Sequence, residues 1–264
     1  MKKYIVIGNP IKHSLSPALH NYWLKKNNIN AIYEKKQINE NEIKQVITEI
    51  KNGKIDGMNV TVPFKKSVIP YVDELTNLAK DAQSINTIFK KGDKIFGDNT
   101  DVGGFEASLK YINYDVKNKK IFILGAGGVA PSIILALKKL GASKISISNR
   151  TKHNAELLKE KHPDLEIIEW GKITNFDLIV NATSLGLKNE DEINIDYKKC
   201  GKNKLFYDVI YNPSKTNFLS KGEELNNRVE NGKMMFIYQA QLAFKILNNI
   251  LPEVDEHVIK LMDV

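Results

Sequence analysis

The stretch Ile121-Phe-Ile-Leu-Gly-Ala-Gly-Gly-Val-Ala130 constrains the fold more than any other part of the chain. Its four leading apolar residues, β-branched and aromatic in type, read as a buried strand of a parallel sheet. They run into Gly125-x-Gly127-x-x-Ala130 and then into the helical pattern Ser132-Ile-Ile-Leu-Ala-Leu-Lys-Lys-Leu140. Strand, glycine turn and helix in that order are the setting of a dinucleotide fingerprint. Glycines let the backbone approach a pyrophosphate, which then sits among the unpaired N–H groups of the helix start. Taken alone, the loop fits an ordinary glycine turn as well. The next strand decides between the two.

That strand, residues 144–148, ends at Asn149-Arg150-Thr151 with Lys152 close behind. An NAD-binding unit places an acidic residue here to accept from the ribose 2′-hydroxyl. Asn-Arg in its place is the NADP arrangement, with arginine stacked on adenine and bonded to the 2′-phosphate. The α/β alternation then continues with a helix at 152–161, strands at 165–168, 176–180 and 204–211, and a helix at 216–226. Polar turns at the strand ends carry Asn181-Ala-Thr183-Ser and Asp208-Val209-Ile-Tyr211-Asn-Pro213. Ligands of open α/β sheets bind at such strand C-termini. Residues 189–199 are charged and weakly patterned, and read as a surface loop. Gly232 opens a long amphipathic helix, 234–247, that carries Gln239. Its Met234, Met235, Phe236 and Phe244 read as core, and 253–262 as a last helix.

Ahead of this unit, residues 4–8 read as a strand, followed by Ser14-Leu-Ser16-Pro17. Ser16 reads as an N-cap, with Pro17 at the first helical position. Two hydroxyls near a positive helix end can also hold a carboxylate, although turn and cap chemistry alone accounts for them. A strand at 31–38 and a helix at 40–51 follow, the helix with Ile43, Val46, Ile47 and Ile50 on one face. In 55–63 apolar residues alternate with Asn59 and Thr61, so both polar side chains share one strand face. Asparagine is disfavoured inside strands, which implies a role for Asn59. Lys65 lies just beyond Pro63, at the expected start of another helix, with further helix at 73–81. A hairpin over 84–97, with Asn86 in its first strand, delivers Gly97-Asp98-Asn99-Thr100-Asp101 and Gly103-Gly104. This cluster reads as turn and cap chemistry, or as a polar hinge with glycines supplying freedom.

With 264 residues the chain is long enough for two domains, and 42% hydrophobic with 27% charged residues describes an ordinary globular protein. One cysteine, Cys200, allows no internal disulfide and has no metal-ligand spacing, so a reducing cytoplasm is expected. The N-terminal apolar run is too short for a signal peptide and ends in Gly-Asn-Pro. Glycines and Pro131 break the uncharged stretch 121–137, so it is not a membrane span. The net charge of +8 is almost all lysine, with arginine only at Arg150 and Arg228, and no basic run with interleaved aromatics points to nucleic acid. The five histidines show no metal-ligand pairing, and no metal site is expected.

Read together, Gly8-Asn-Pro-Ile-x-His-Ser-Leu-Ser-Pro17, Asn59-Val-Thr-Val-Pro-Phe-Lys65, Asn86-Thr, Gly97-Asp-Asn-Thr-Asp101, Gly125-Ala-Gly-Gly128, Asn149-Arg-Thr151, Asn181-Ala-Thr-Ser184, Asp208-x-x-Tyr211-x-Pro and Gln239 occur in that order. In this series the chain resembles the shikimate dehydrogenase family over nearly its whole length. The resemblance implies the reversible, NADPH-dependent reduction of 3-dehydroshikimate to shikimate in chorismate and aromatic amino acid biosynthesis. It implies a two-domain α/β fold: a substrate domain with a mostly parallel sheet, 1–101 and 239–264, and a Rossmann-like NADP-binding domain, 102–238. It also implies a cleft that closes on binding, a cytoplasmic monomer or homodimer, and no nucleic-acid or membrane partner.

Carried over position by position, Ser14 and Ser16 match carboxylate binders, which reverses their local reading. Asn59, Thr61, Asn86 and Asp101 match residues that bond the ring hydroxyls, and Lys65, Tyr211 and Gln239 complete the substrate set. Gly125, Ala126, Gly127, Gly128, Val129, Asn149, Arg150, Thr151, Lys152, Thr183, Val209 and Gly232 match NADP(H) positions. Lys65 and Asp101 match the catalytic pair. Hydride transfer to a ketone builds alkoxide character, which a positioned proton donor relieves. Lys65 as ammonium supplies that proton, and Asp101 keeps the amine charged and directed. Two other readings are a quinate/shikimate dehydrogenase with looser cofactor use and a non-catalytic binding protein of the same fold. Retention of both Lys65 and Asp101 argues against the second.

Overall fold

Two six-stranded sheets organise the chain, one in each of two units, Met1–Phe105 with Ile237–Asp263 and Glu106–Phe236. The computed structural model describes residues 1–188 and 190–263; Asn189, where the expected surface loop begins, and Val264, the end of the expected substrate domain, lie outside the described residues.

The first unit runs β1 (Lys2–Gly8), α1 (Ser16–Lys26), β2 (Ala31–Gln37), α2 (Ile43–Lys51), β3 (Gly57–Val60), β4 (Glu74–Leu75), α3 (Asn77–Ala82), β5 (Thr87–Lys91), β6 (Lys94–Asp98) and the start of α4 (Asp101–Tyr111). Its sheet order is β2-β1-β3-β5-β6-β4, parallel except where β5 pairs with β3 and β6. Tyr4, Ile5, Val6 and Ile7 are buried on both faces of β1, which explains its unbroken apolar run. The α2 stripe of Ile43, Val46, Ile47 and Ile50 packs on the sheet as its period predicts.

The expected helix at 73–81 is instead a short edge strand and a shorter helix. Ile95 N–H donates to the Asp73 carboxylate at 2.7 Å, and Thr76 N–H donates to Gly97 O at 3.0 Å. These bonds bind 74–75 to β6. Thr76 then caps α3, its hydroxyl oxygen accepting from Ala79 N–H. Tertiary pairing overrides the local helical pattern here.

The second unit runs β7 (Lys120–Leu124), α5 (Ala130–Lys139), β8 (Lys144–Ser148), α6 (Lys152–Lys161), β9 (Glu166–Ile167), β10 (Leu178–Asn181), β11 (Leu205–Asp208), α7 (Asn217–Glu224) and β12 (Arg228–Glu230). All pairs are parallel, in the order β9-β8-β7-β10-β11-β12. Counted from β7 this is 3-2-1-4-5-6, the Rossmann order, with its switch point between β7 and β10. The sequence pattern does not show β12, because three residues that include an exposed arginine carry no alternation. The expected surface loop is also partly core. Ile193, Ile195 and Cys200 are buried against Phe176, Phe206 and Phe218.

Burial pushes the Cys200 thiol up to about 12, with Asp196 adding to the effect. Almost no thiolate exists at neutral pH, so native protein should be labelled by a disulfide reagent far more slowly than protein in denaturant. Equal rates would contradict this placement.

Two helices end the fold, α8 (Lys233–Asn248) and α9 (Glu256–Leu261). The last helix starts at Glu256 rather than at 253 because Asp255 caps it, accepting from Val258 N–H at 2.8 Å. Glu253 O instead accepts from the Trp23 indole at 2.9 Å, tying this segment to α1. No helix among the described residues is long and apolar enough to cross a membrane, and no group of histidine, cysteine or acidic residues among them could hold a metal.

Candidate active site and cofactor cradle

In the first unit the loops after β1 and β3 lie side by side. Thr61 N–H donates to Ile7 O at 2.9 Å and Asn9 N–H to Val62 O at 3.0 Å. A Cβ on Gly8 would come 2.6 Å from Thr61 Cγ2, so the close approach requires glycine. Ser14 accepts from Ser16 N–H at 3.3 Å. The N-cap is therefore Leu15, one residue before the expected Ser16, which is the first helical residue. Thr61 lies just beyond β3 rather than on it with Asn59, and Lys65 sits in a run of turns rather than at a helix start. Pro63, which has no N–H to donate, interrupts regular pairing there.

These departures leave the side chains converging. Lys65 Nζ lies 2.6 Å from Asp101 Oδ2, with side-chain exposures of 12% and 5%. Such burial shields the pair from the solvent screening that weakens surface salt bridges. Asp101 opens α4, where the helix dipole favours its negative charge. Asn86 binds the cluster together: its amide nitrogen is 3.0 Å from Asp101 Oδ1, 2.8 Å from Thr100 Oγ1 and 3.3 Å from Gln239 Oε1. Asn59 donates to Asn86 O and Thr87 Oγ1, both at 3.0 Å, and accepts from the Tyr33 phenol at 2.7 Å. The Ser16 hydroxyl hydrogen-bonds the same phenol, whose pKa burial raises well above its ordinary value. Tyr33 was not among the expected site residues. The available signal was a tyrosine on the buried face of a strand, since its hydroxyl must find a partner.

Gly103 and Gly104 are helical, within α4. A Cβ on Gly104 would lie 2.7 Å from Gln239 Cβ and 2.8 Å from Gln239 N, and one on Gly103 would lie 2.6 Å from Leu242 Cδ1. The glycines let α4 approach α8 at Gln239. Gly104→Ala must push the two helices apart, at a cost of about 1–3 kcal/mol. A calorimetric scan should show melting lowered by roughly 5 °C; unchanged melting would contradict the contact.

In the second unit the glycine loop lies at the switch point. Gly125 has φ +105°, and a Cβ there would meet Thr183 Cγ2 at 2.8 Å and Ala182 C and O at 2.9 Å. A Cβ on Gly127 would meet nothing nearer than Ala182 O at 3.8 Å, so the loop is open at that point. No side chain caps α5, with Val129 at its N-cap, and Ala126 N–H donates to Asn149 Oδ1 at 2.9 Å. Arg150 is exposed at the end of β8. Thr151 caps the start of α6 without a side-chain bond, and Lys152 pairs with Glu156 at 3.3 Å. An open glycine cradle, a helix start without a side-chain cap and an exposed arginine fit a phosphorylated dinucleotide.

Thr183 belongs to a buried network. Its N–H and hydroxyl donate to Asn181 Oδ1 at 3.0 and 2.7 Å. The Asn181 amide donates to Asp208 Oδ1 at 3.0 Å. Asp208 also accepts from Thr216 Oγ1 at 2.6 Å and from Ile210 N–H at 2.9 Å. Val209 N–H donates to Asn181 O at 3.0 Å, and a Cβ on Gly232 would lie 2.1 Å from Val209 O. Tyr211 belongs to this unit, its ring 4.5 Å from that of Phe236.

Burial pushes the Asp208 carboxyl up to about 6, against those three hydrogen bonds. Its folded pKa lies above its unfolded one, so its contribution to stability is full below about pH 4 and is lost as pH rises through about 6. Asp208→Asn should therefore flatten the melting temperature between these values; an unchanged slope would contradict the assignment.

Comparison with known proteins agrees across the chain. A family model described as the shikimate dehydrogenase substrate binding domain matches residues 6–88, and one described as shikimate / quinate 5-dehydrogenase matches 107–210. A shikimate dehydrogenase (NADP(+)) of Pelagibacter ubique is 58% identical over 263 residues, covering 100% of this chain and 99% of that one. The crystal structure of shikimate dehydrogenase from Aquifex aeolicus superposes with TM-score 0.90 at 38% identity, covering 99% of this chain and 97% of that one. The Thermus thermophilus enzyme, solved in complex with NADP(H) and shikimate, gives TM-score 0.89 at 28% identity, covering 100% and 97%. With its two α/β units and matches to both family models, the chain belongs to the shikimate dehydrogenase family.

Proposed function

We propose that the chain catalyses the reversible NADPH-dependent reduction of 3-dehydroshikimate to shikimate, a step of the shikimate pathway. The observation that carries this reading is the largely buried Lys65–Asp101 pair at 2.6 Å, bound to Asn86. NADPH, when bound, supplies the hydride. Lys65 holds a proton at Nζ and gives it to the oxygen of the ketone as negative charge builds there. Asp101, through its Oδ2, aims that amine. In the reverse direction the same amine takes the proton back.

Ser14 and Ser16 bind the substrate carboxylate. Asn59, Thr61, Asn86 and Asp101 bond the ring hydroxyls, and Gln239 and Tyr211 complete the set. Both amide hydrogens of Asn59 are already committed to Asn86 O and Thr87, so it serves as an acceptor. NADP(H) is bound by Gly125–Val129, Asn149–Lys152, Thr183, Val209 and Gly232, with Arg150 on the 2′-phosphate. Residues 1–101 and 239–264 form the substrate domain and 102–238 the cofactor domain, a reading supported by the separate sheets. The single cysteine supports action in the cytoplasm. Incubation of the protein with 3-dehydroshikimate and NADPH should consume the two in equal amounts and yield shikimate. Turnover of neither would end this reading.

A further inference from the structure

Asp208 takes no part in the chemistry above, yet it is a fully buried carboxyl at the end of β11, beside the switch-point loops. Its bonds fan out to candidate cofactor contacts. Through Oδ1 it holds Asn181 and the Ile210 N–H, and through Oδ2 it holds Thr216. Asn181 in turn fixes Thr183 by two bonds to Oδ1, and its backbone oxygen fixes the Val209 N–H. The Thr183 hydroxyl, donating to Asn181 and accepting from Leu185 N–H at 3.0 Å, is left with one lone pair to offer a ligand.

We propose that Asp208 is a positioning residue for the cofactor: its carboxylate, acting through Asn181 and the Ile210 amide, sets Thr183 and the Val209 peptide where NADP(H) binds. This rests on the NADP(H) reading given above. The geometry demands an acceptor with two oxygens, because three donors from three segments converge on it. An asparagine keeps one such oxygen and can donate to Thr216, whose hydroxyl turns to accept. An alanine satisfies none of the three. Asp208 acts electrostatically on the phenols of Tyr197 and Tyr207, both raised above the ordinary phenol range by burial. They remain neutral at working pH.

The test is equilibrium titration of the full chain with NADP+ alone, and separately with shikimate alone. Asp208→Ala should weaken NADP+ binding about tenfold, as expected when buried donors lose their acceptor, with the shikimate Kd unchanged within about twofold. Asp208→Asn should recover part of the loss, and Thr216→Val should weaken NADP+ by about threefold. Adding Asp208→Ala to Asn181→Ala should cost little more than Asn181→Ala alone, since the two act in series. Wild-type NADP+ affinity in these variants, or equal weakening of NADP+ and shikimate, would overturn the proposal. If Asp208→Ala fails to fold, the Asn and Thr216→Val variants decide by the same criterion. A wild-type protein that binds no NADP+ overturns the cofactor reading and this inference with it. A wild type that binds NADP+ alongside insensitive variants overturns the inference alone.

Discussion

Replacing Lys65 with alanine is expected to lower kcat for shikimate oxidation by about a thousandfold, within the usual range for loss of a positioned general acid–base. The shikimate Kd should change far less. The reason lies in where the amine sits. Its Nζ is 2.6 Å from Asp101, and both side chains are largely removed from solvent, so water cannot readily replace it as a proton donor. The two serines and Asn59, Thr61 and Asn86, proposed above to hold shikimate, are left in place by the substitution. Asp101 then becomes a buried carboxylate without its cation, so some stability is lost as well. Lys65→Met, which keeps the volume of the side chain, should show the same kcat loss. A near wild-type kcat in either variant, with shikimate and NADP+ saturating, would remove Lys65 from the mechanism.

Arg150→Ala is the second large effect expected. A guanidinium on a phosphate makes bidentate, charge-assisted bonds. Their loss at an exposed position should raise the NADP+ Kd by about thirtyfold. NAD+ carries no 2′-phosphate, so its affinity should move less than about threefold. Lys152→Ala should be mild, because that side chain is 77% exposed and its amine is shared with Glu156. The backbone geometry supports the contrast. Asn149, immediately before Arg150, is fixed by its bonds to Ala126 N–H and Thr151 O, so the arginine starts from a rigid strand end. Titration of both nucleotides against both variants checks this, and an equal loss for NADP+ and NAD+ would assign Arg150 to general attraction.

Much of this was legible in the chain itself, wherever the determining interactions are local. The glycine loop, the α6 span and the α2 stripe follow from period and turn chemistry within a few residues. The proposed substrate-side residues come from motifs, through family resemblance rather than through pattern. What stayed hidden depends on partners far away in sequence. Tyr33 meets Asn59 across 26 residues and Asn181 meets Asp208 across 27. Alternation shows that such side chains point inward but not which of them meet. The close packing of Gly103 and Gly104 was hidden for the same reason: local sequence suggests freedom, and only the packed α8 shows the need for space. The edge strand at 74–75 is too short to carry a period of its own, and bonds to β6 define it.

The most direct test of the account is a crossed assay of nicotinamide absorbance, with shikimate or quinate as reductant and NADP+ or NAD+ as oxidant. The combination of Lys65–Asp101, the substrate-side hydroxyls and amides, and Arg150 predicts the highest kcat/KM for shikimate with NADP+. Absence of nucleotide reduction in all four combinations would contradict it.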